Sequence, residues 1–121
     1  MEKETIWEYN GQQYELDLQD VDTIERYENA FNKMAEKEKA LQKRVKKSEE
    51  MRDICTLLYG VFDEIFGDGT STKMFGDRLN SGKAADAYIS FLAFARAQMD
   101  FADEQRQTIT ARYSGDRAKR A

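Results

Sequence analysis

The sequence contains no histidine and no proline, and only one cysteine, Cys55. Without histidine there is no Ser-His-Asp or Cys-His nucleophilic site, and zinc loses its commonest ligand. One cysteine excludes an internal disulfide framework and suits a reducing compartment. The absence of proline favours long, uninterrupted helices. No apolar run approaches the ~20 residues that a membrane span requires. The opening Met1-Glu2-Lys3-Glu4 has no apolar stretch of the signal-peptide kind, so no signal peptide is expected.

What is present is 121 residues, 40% hydrophobic and 35% charged, with one Trp, six Tyr and seven Phe. That length suits one domain, and the aromatics supply the large apolar surfaces of a core. The net charge of -4 is unevenly spread. Residues 1–31 carry nine acids against two bases, and residues 32–47 carry two acids against seven bases. Residues 48–111 carry eleven acids against six bases, and residues 112–121 one acid against four bases. An acidic chain with two basic islands is not the footprint of a dedicated nucleic-acid binder. The first island has no interleaved aromatic on which a base could stack.

Asn10-Gly11 between Ile6-Trp7-Glu8-Tyr9 and Gln12-Gln13-Tyr14-Glu15-Leu16 is the pattern of a two-residue type I′ hairpin. The turn sets the register: Tyr9 faces Gln12, Trp7 faces Tyr14 and Thr5 faces Leu16. Trp7, Tyr9, Tyr14, Leu16 and Leu18 then share one face, with Ile6 misplaced on the polar one. A lone hairpin is marginal in water, so its aromatic face must dock, on the chain's own helices or on a partner. Asp22, with Glu25 three residues later, predicts a helix start. Ile24, Tyr27, Phe31, Met34, Leu41 and Val45 recur at helical steps. Either one helix runs over 23–66 or a polar turn near Lys46 to Ser48 divides it. Two helices are favoured, because Ser48 followed by Glu49 and Glu50 resembles a new N-terminus.

The second helix carries Met51, Ile54, Cys55, Leu58, Val61, Phe62 and Ile65, and Gly67-Asp68-Gly69 stops it. A short helical turn ends at Met74-Phe75-Gly76. Asn80-Ser81-Gly82 opens a last helix that runs to about Tyr113, followed by a basic flexible tail over 114–121. The last helix bears two apolar stripes. One comprises Ala84, Tyr88, Phe91, Ala95, Met99, Ala102, Ile109 and Tyr113; the other comprises Ala87, Phe94 and Phe101. Two stripes imply two packing partners: both within the chain, or one belonging to another subunit or a client. The fold class is therefore mainly α (α+β): an N-terminal hairpin over 4–18, then a three-helix bundle-like domain with a short extra turn, spanning 1–113.

No motif carries catalysis. Asn80-Ser81-Gly82-Lys83-Ala84 lacks the earlier glycine and the hydroxyl residue of a phosphate-binding loop. Asp63, Glu64 and Asp68 lack calcium-loop spacing. Cys55, within an apolar stripe and with no histidine to activate it, reads as a core residue. The chain is read as non-enzymatic, with no cofactor and no metal. Its candidate partner-binding residues are the aromatics Trp7, Tyr9, Tyr14, Phe94 and Phe101, and the basic Arg117, Lys119 and Arg120 of the tail.

The order of features resembles a known family. The hairpin is followed by Asp20-Val21-Asp22-Thr23 with Glu25-Arg26-Tyr27-Glu28, then a charged middle. Next come Val61-Phe62-Asp63-Glu64-Ile65-Phe66-Gly67-Asp68-Gly69-Thr70, Met74-Phe75-Gly76, and a tail with Arg117-Ala118-Lys119-Arg120. This resembles a family of small proteins, without an assigned activity, encoded in tail modules of prophages from Gram-positive bacteria. The resemblance implies a tail assembly chaperone that binds the helical tape-measure protein, or another tail protein, in the cytoplasm of the bacterial host. It is also compatible with a phage-encoded inhibitor of a host defence protein, or with a minor structural tail component. A homo-oligomer is expected in any of these roles, because the spare apolar faces exceed what one short chain covers.

Overall fold

Asn10 and Gly11 both take positive φ, 52° and 76°, and close the hairpin as the Asn-Gly pair dictates. In the computed structural model, which describes residues 4–120 and side chains over 4–113, strands β1 (Ile6–Tyr9) and β2 (Gln12–Glu15) pair antiparallel. Trp7 lies opposite Tyr14 and Tyr9 opposite Gln12, which is the expected register. The Leu16 N–H donates to the Thr5 carbonyl at 2.7 Å and extends it. Trp7, Tyr14, Leu16 and Leu18 are buried, whereas Ile6 is exposed on the polar face.

Four helices follow: α1 (Val21–Ala40), α2 (Lys47–Phe66), α3 (Thr70–Phe75) and α4 (Ser81–Arg120). The fold is mainly helical with an N-terminal two-stranded hairpin, as the sequence predicts. The cap of α1 is Asp20 rather than Asp22; its carboxylate accepts the Thr23 N–H at 3.1 Å and the Thr23 hydroxyl at 2.9 Å. The region 23–66 is two helices. The first ends at Ala40, so Leu41 and Val45 fall in the connection instead of on the α1 face, and Val45 is 99% exposed. No glycine or proline marks this break. Arg44 holds the reversal instead, with ion pairs to Asp53 at 2.9 Å and Glu49 at 3.6 Å on α2. The second helix begins after Lys46, which makes no side-chain cap, and Ser48 lies inside its first turn. Lys33 pairs with Glu64 at 3.0 Å near the opposite end, so the two helices run antiparallel.

Gly67 ends α2 at φ 114°, and its N–H donates to the Asp63 carbonyl at 2.9 Å. A side chain would be strained at that φ, so glycine suits the stop. The Asp63 carboxylate then accepts the Ser71 N–H at 2.7 Å and its hydroxyl at 2.8 Å, which fixes α3 on α2. Asp63 is thus committed to the fold. Asn80 caps α4 by accepting the Lys83 N–H at 3.0 Å.

The core is aromatic and centred on Trp7. Its ring stacks on Phe62 (centroids 5.7 Å apart, planes at 7°) and meets Phe91 edge-on at 5.3 Å. Its Nε1–H donates to the Ser90 hydroxyl at 3.0 Å, so the indole leaves no polar group unpaired. The hairpin thereby docks on α2 and α4 at once. Phe66 lies 5.4 Å from Tyr14, and Tyr59 stacks on Phe75 of α3 at 4.4 Å.

Candidate functional site

Helix α4 has 40 residues and is therefore about 60 Å long. Its first half belongs to the core: Ala84, Ala87, Phe91, Ala95, Gln98 and Ala102 are buried, at steps of three and four. One buried face thus draws on both predicted stripes, and it contains a polar residue, Gln98. The Gln98 Oε1 accepts the Leu18 N–H at 2.8 Å. Its Nε2 donates to the carbonyls of Glu4 at 2.7 Å and Leu16 at 2.5 Å. These bonds tie both ends of the hairpin to the middle of α4.

Past Ala102 none of the described residues is buried. Every residue over 103–113 is exposed, and Ile109 and Tyr113 are 67% and 62% exposed. At 100° per residue, Ile109 and Tyr113 fall within about 40° of the line through Phe91, Ala95 and Ala102. They continue the face that packs the bundle, beyond the point where the bundle ends. The predicted helix end near Tyr113 is also passed, because the backbone of α4 stays helical to Arg120. Ser114-Gly115 lowers helix propensity without forcing a stop, since neither residue is barred from helical φ and ψ.

A groove of about 460 Å³ opens where the projecting half begins, between the start of α1 and α4. Leu18, Ile24, Met99 and Ala102 give it apolar walls, and Glu28 and Asp103 stand on its rim. Arg106 pairs with Asp103 one turn away. Gln19 reaches across and donates to Gln105 at 2.6 Å.

The aromatic residues expected to meet a partner divide. Trp7 and Tyr14 are 3% and 6% exposed; they are core residues and present no docking surface. The single chain buries the hairpin face because α2 and α4 meet beneath it. Tyr9 is half-buried, stacked on Trp7 at 5.5 Å. Phe94 is half-buried and packs against the core, which removes it from a free stripe. Phe101 is half-buried at the last turn before the projection. The side chains of Arg117, Lys119 and Arg120, and of the expected tail over 114–121 as a whole, lie outside the described residues. Sequence reasoning missed Gln98; its signal was a lone amide inside an apolar stripe.

Cys55 is fully buried, and burial pushes its thiol up, against smaller lowering effects from a Tyr59 hydrogen bond and nearby Arg52. Among the described residues, no group of three His, Cys, Asp or Glu is placed to hold a metal ion, and no helix is long and apolar enough to cross a membrane.

No curated protein and no solved structure matches the chain. The sequence pattern of one family, described as a family of unknown function (DUF6673), matches residues 10–121. That span takes in β2 and all four helices, including the projecting half of α4, so the chain belongs to this family.

Proposed function

We propose that the protein is a non-enzymatic binder of a helical protein partner, acting as a tail assembly chaperone for a phage tape-measure protein in the host cytoplasm. The observation that carries this is the continuation of the α4 core face through Ile109. A helix face that packs other helices over its first half offers the same geometry to a foreign helix over its second. Phe101, half-buried beside that face, and the apolar groove at its base add contact area. The resemblance to prophage tail-module proteins supplies the candidate client, and tape-measure proteins are long and helical.

The test is affinity capture from an induced lysogen with the wild-type chain and with Phe101→Glu/Ile109→Glu, read by mass spectrometry. Capture of the tape-measure protein by the wild type alone supports the proposal, provided the variant keeps its circular dichroism and melting temperature. Capture of a host defence protein instead, or stoichiometric presence of the chain in purified particles, overturns it.

A further inference from the structure

Helices α1 and α4 meet through pairs of rings: Tyr27 lies 6.2 Å from Phe91, and Phe31 lies 6.3 Å from Tyr88. One turn nearer the start of α1 the facing residues are Ile24 on α1 and Met99 and Ala102 on α4, with Leu18 behind them. These side chains are smaller than the rings, and the space between the helices is left open as the groove of about 460 Å³. The opening is thus of a width that one layer of larger side chains closes further along the same two helices.

The rim of the groove is acidic. Glu28 stands one turn beyond Ile24 on the same face of α1, and Asp103 one turn beyond Met99 on the same face of α4. Asp103 is held by Arg106 of its own helix, and both of those side chains are exposed. Among the described residues no cation pairs with Glu28. The segments that wall the groove, residues 17–28 and 99–106, hold eight acids and two bases. A helix is about 10–12 Å across, and exposed charges are screened over about 10 Å at 0.1 M. Acids on the outer sides of these segments therefore still add to the negative potential over the groove.

From this we infer that the groove receives a cationic amphipathic helix of a partner protein. The inference rests on the proposed helix-binding role, and it names the chemistry of the helix that is bound. An apolar side chain of the partner enters between Ile24 and Met99, in the layer that rings occupy further along. Lysines or arginines one turn to either side of it reach Glu28 and Asp103, as the spacing of helix-in-groove anchors allows. The aliphatic stems of those side chains cover the apolar wall while their charged heads stay at the wet rim. A helix with the same apolar pattern and acids in place of the bases sets like charge against Glu28, which disfavours it.

The probes are two model peptides of about five helical turns, or about 18 residues. One is patterned from Leu and Lys as an amphipathic helix, and the other has every Lys replaced by Glu. Binding to the full chain is read by titration calorimetry and by methyl NMR of the methionines. The Leu/Lys peptide should bind about ten-fold or more tighter than the Leu/Glu peptide, and less tightly as salt is raised. It should also shift the Met99 methyl signal, assigned through Met99→Leu. Glu28→Lys/Asp103→Lys should reverse the preference. Glu8→Lys/Glu15→Lys, which makes the same change of charge on the exposed face of the hairpin, should keep it. Circular dichroism of each variant separates lost binding from lost folding. Equal binding of the two peptides overturns the inference, as does a Met99 signal that stays in place or an equal loss from both charge reversals. Self-association of the wild type that Glu28→Lys/Asp103→Lys abolishes also overturns it, because the occupant is then a second copy. If the peptides fail in this way while Phe101→Glu/Ile109→Glu still abolishes capture of the tape-measure protein, the chaperone role survives without this groove. If the groove selects the Leu/Lys peptide and no tape-measure protein is captured, the chaperone role alone falls.

Discussion

Gln98 and Leu18, eighty positions apart, are joined by a 2.8 Å hydrogen bond from the Leu18 N–H to the Gln98 side-chain carbonyl. The same amide satisfies the carbonyls of Glu4 and Leu16 from its other end. Gln98 is buried, so its bonds to Leu18 and Leu16 lie away from competing water, while that to Glu4 is part-buried. One side chain thus satisfies main-chain groups flanking the two-stranded hairpin.

Gln98→Leu keeps the volume and removes all three bonds. It should destabilise the fold by about 1–3 kcal/mol, because buried main-chain groups are left unpaired. Chemical denaturation measures the loss. Hydrogen exchange should show the Leu18 amide losing protection ahead of the amides of α2. Unchanged stability would mean that water replaces the glutamine at no cost.

Trp7→Ala should cost about 3–5 kcal/mol, the range for a large aromatic removed from a packed core. The expected loss is large because Trp7 touches Phe62, Phe66 and Phe91 and also donates to Ser90. As the only tryptophan, it also reports directly. Its native emission should be blue-shifted and should move red on unfolding. A red-shifted native spectrum would contradict the docked hairpin.

Cys55 should resist thiol reagents in the native state and react with one equivalent after denaturation. The thiol has no exposed surface, and burial raises its pKa, so little thiolate forms at neutral pH. The native labelling rate should follow the opening rate of the fold and rise in Trp7→Ala. Fast labelling of the intact protein would place Cys55 at the surface.

Stability should decline in alkali. Burial raises the pKa of Tyr9, Tyr14, Tyr27, Tyr59 and Tyr88 above the ordinary value of 10.0, as the largest cause in each case. For an acid raised in the folded state, the neutral form is the one the fold favours. Its contribution is complete below pH 10, the unfolded value, and is lost as pH rises through the raised values. Denaturation midpoints should therefore fall above about pH 10, with phenolate absorbance appearing as the chain unfolds. A midpoint constant through that range would show that these hydroxyls ionise in place.

The hairpin was legible in the sequence because its information is local. Asn10-Gly11 sets the turn, the turn sets the register, and alternation sets the face that Trp7 and Tyr14 share. The stop at Gly67, the short turn before Gly76 and the cap at Asn80 follow from the same kind of local chemistry. The end of α1 at Ala40 was not legible, because no residue there breaks a helix. It follows from α2 folding back along α1, a long-range demand met by the Arg44 ion pairs. The candidate site divides the same way. Periodicity placed Ile109 on the same stripe as Phe91 and Ala95, since helical phase is a property of spacing alone. Which part of that stripe is covered depends on where the rest of the chain lies. Residues 84–102 have the hairpin and α2 against them, whereas the residues over 103–113 are all exposed. Only the tertiary structure decided that Trp7 and Tyr14 are core residues and Ile109 is surface, because burial is set by neighbours distant in the chain.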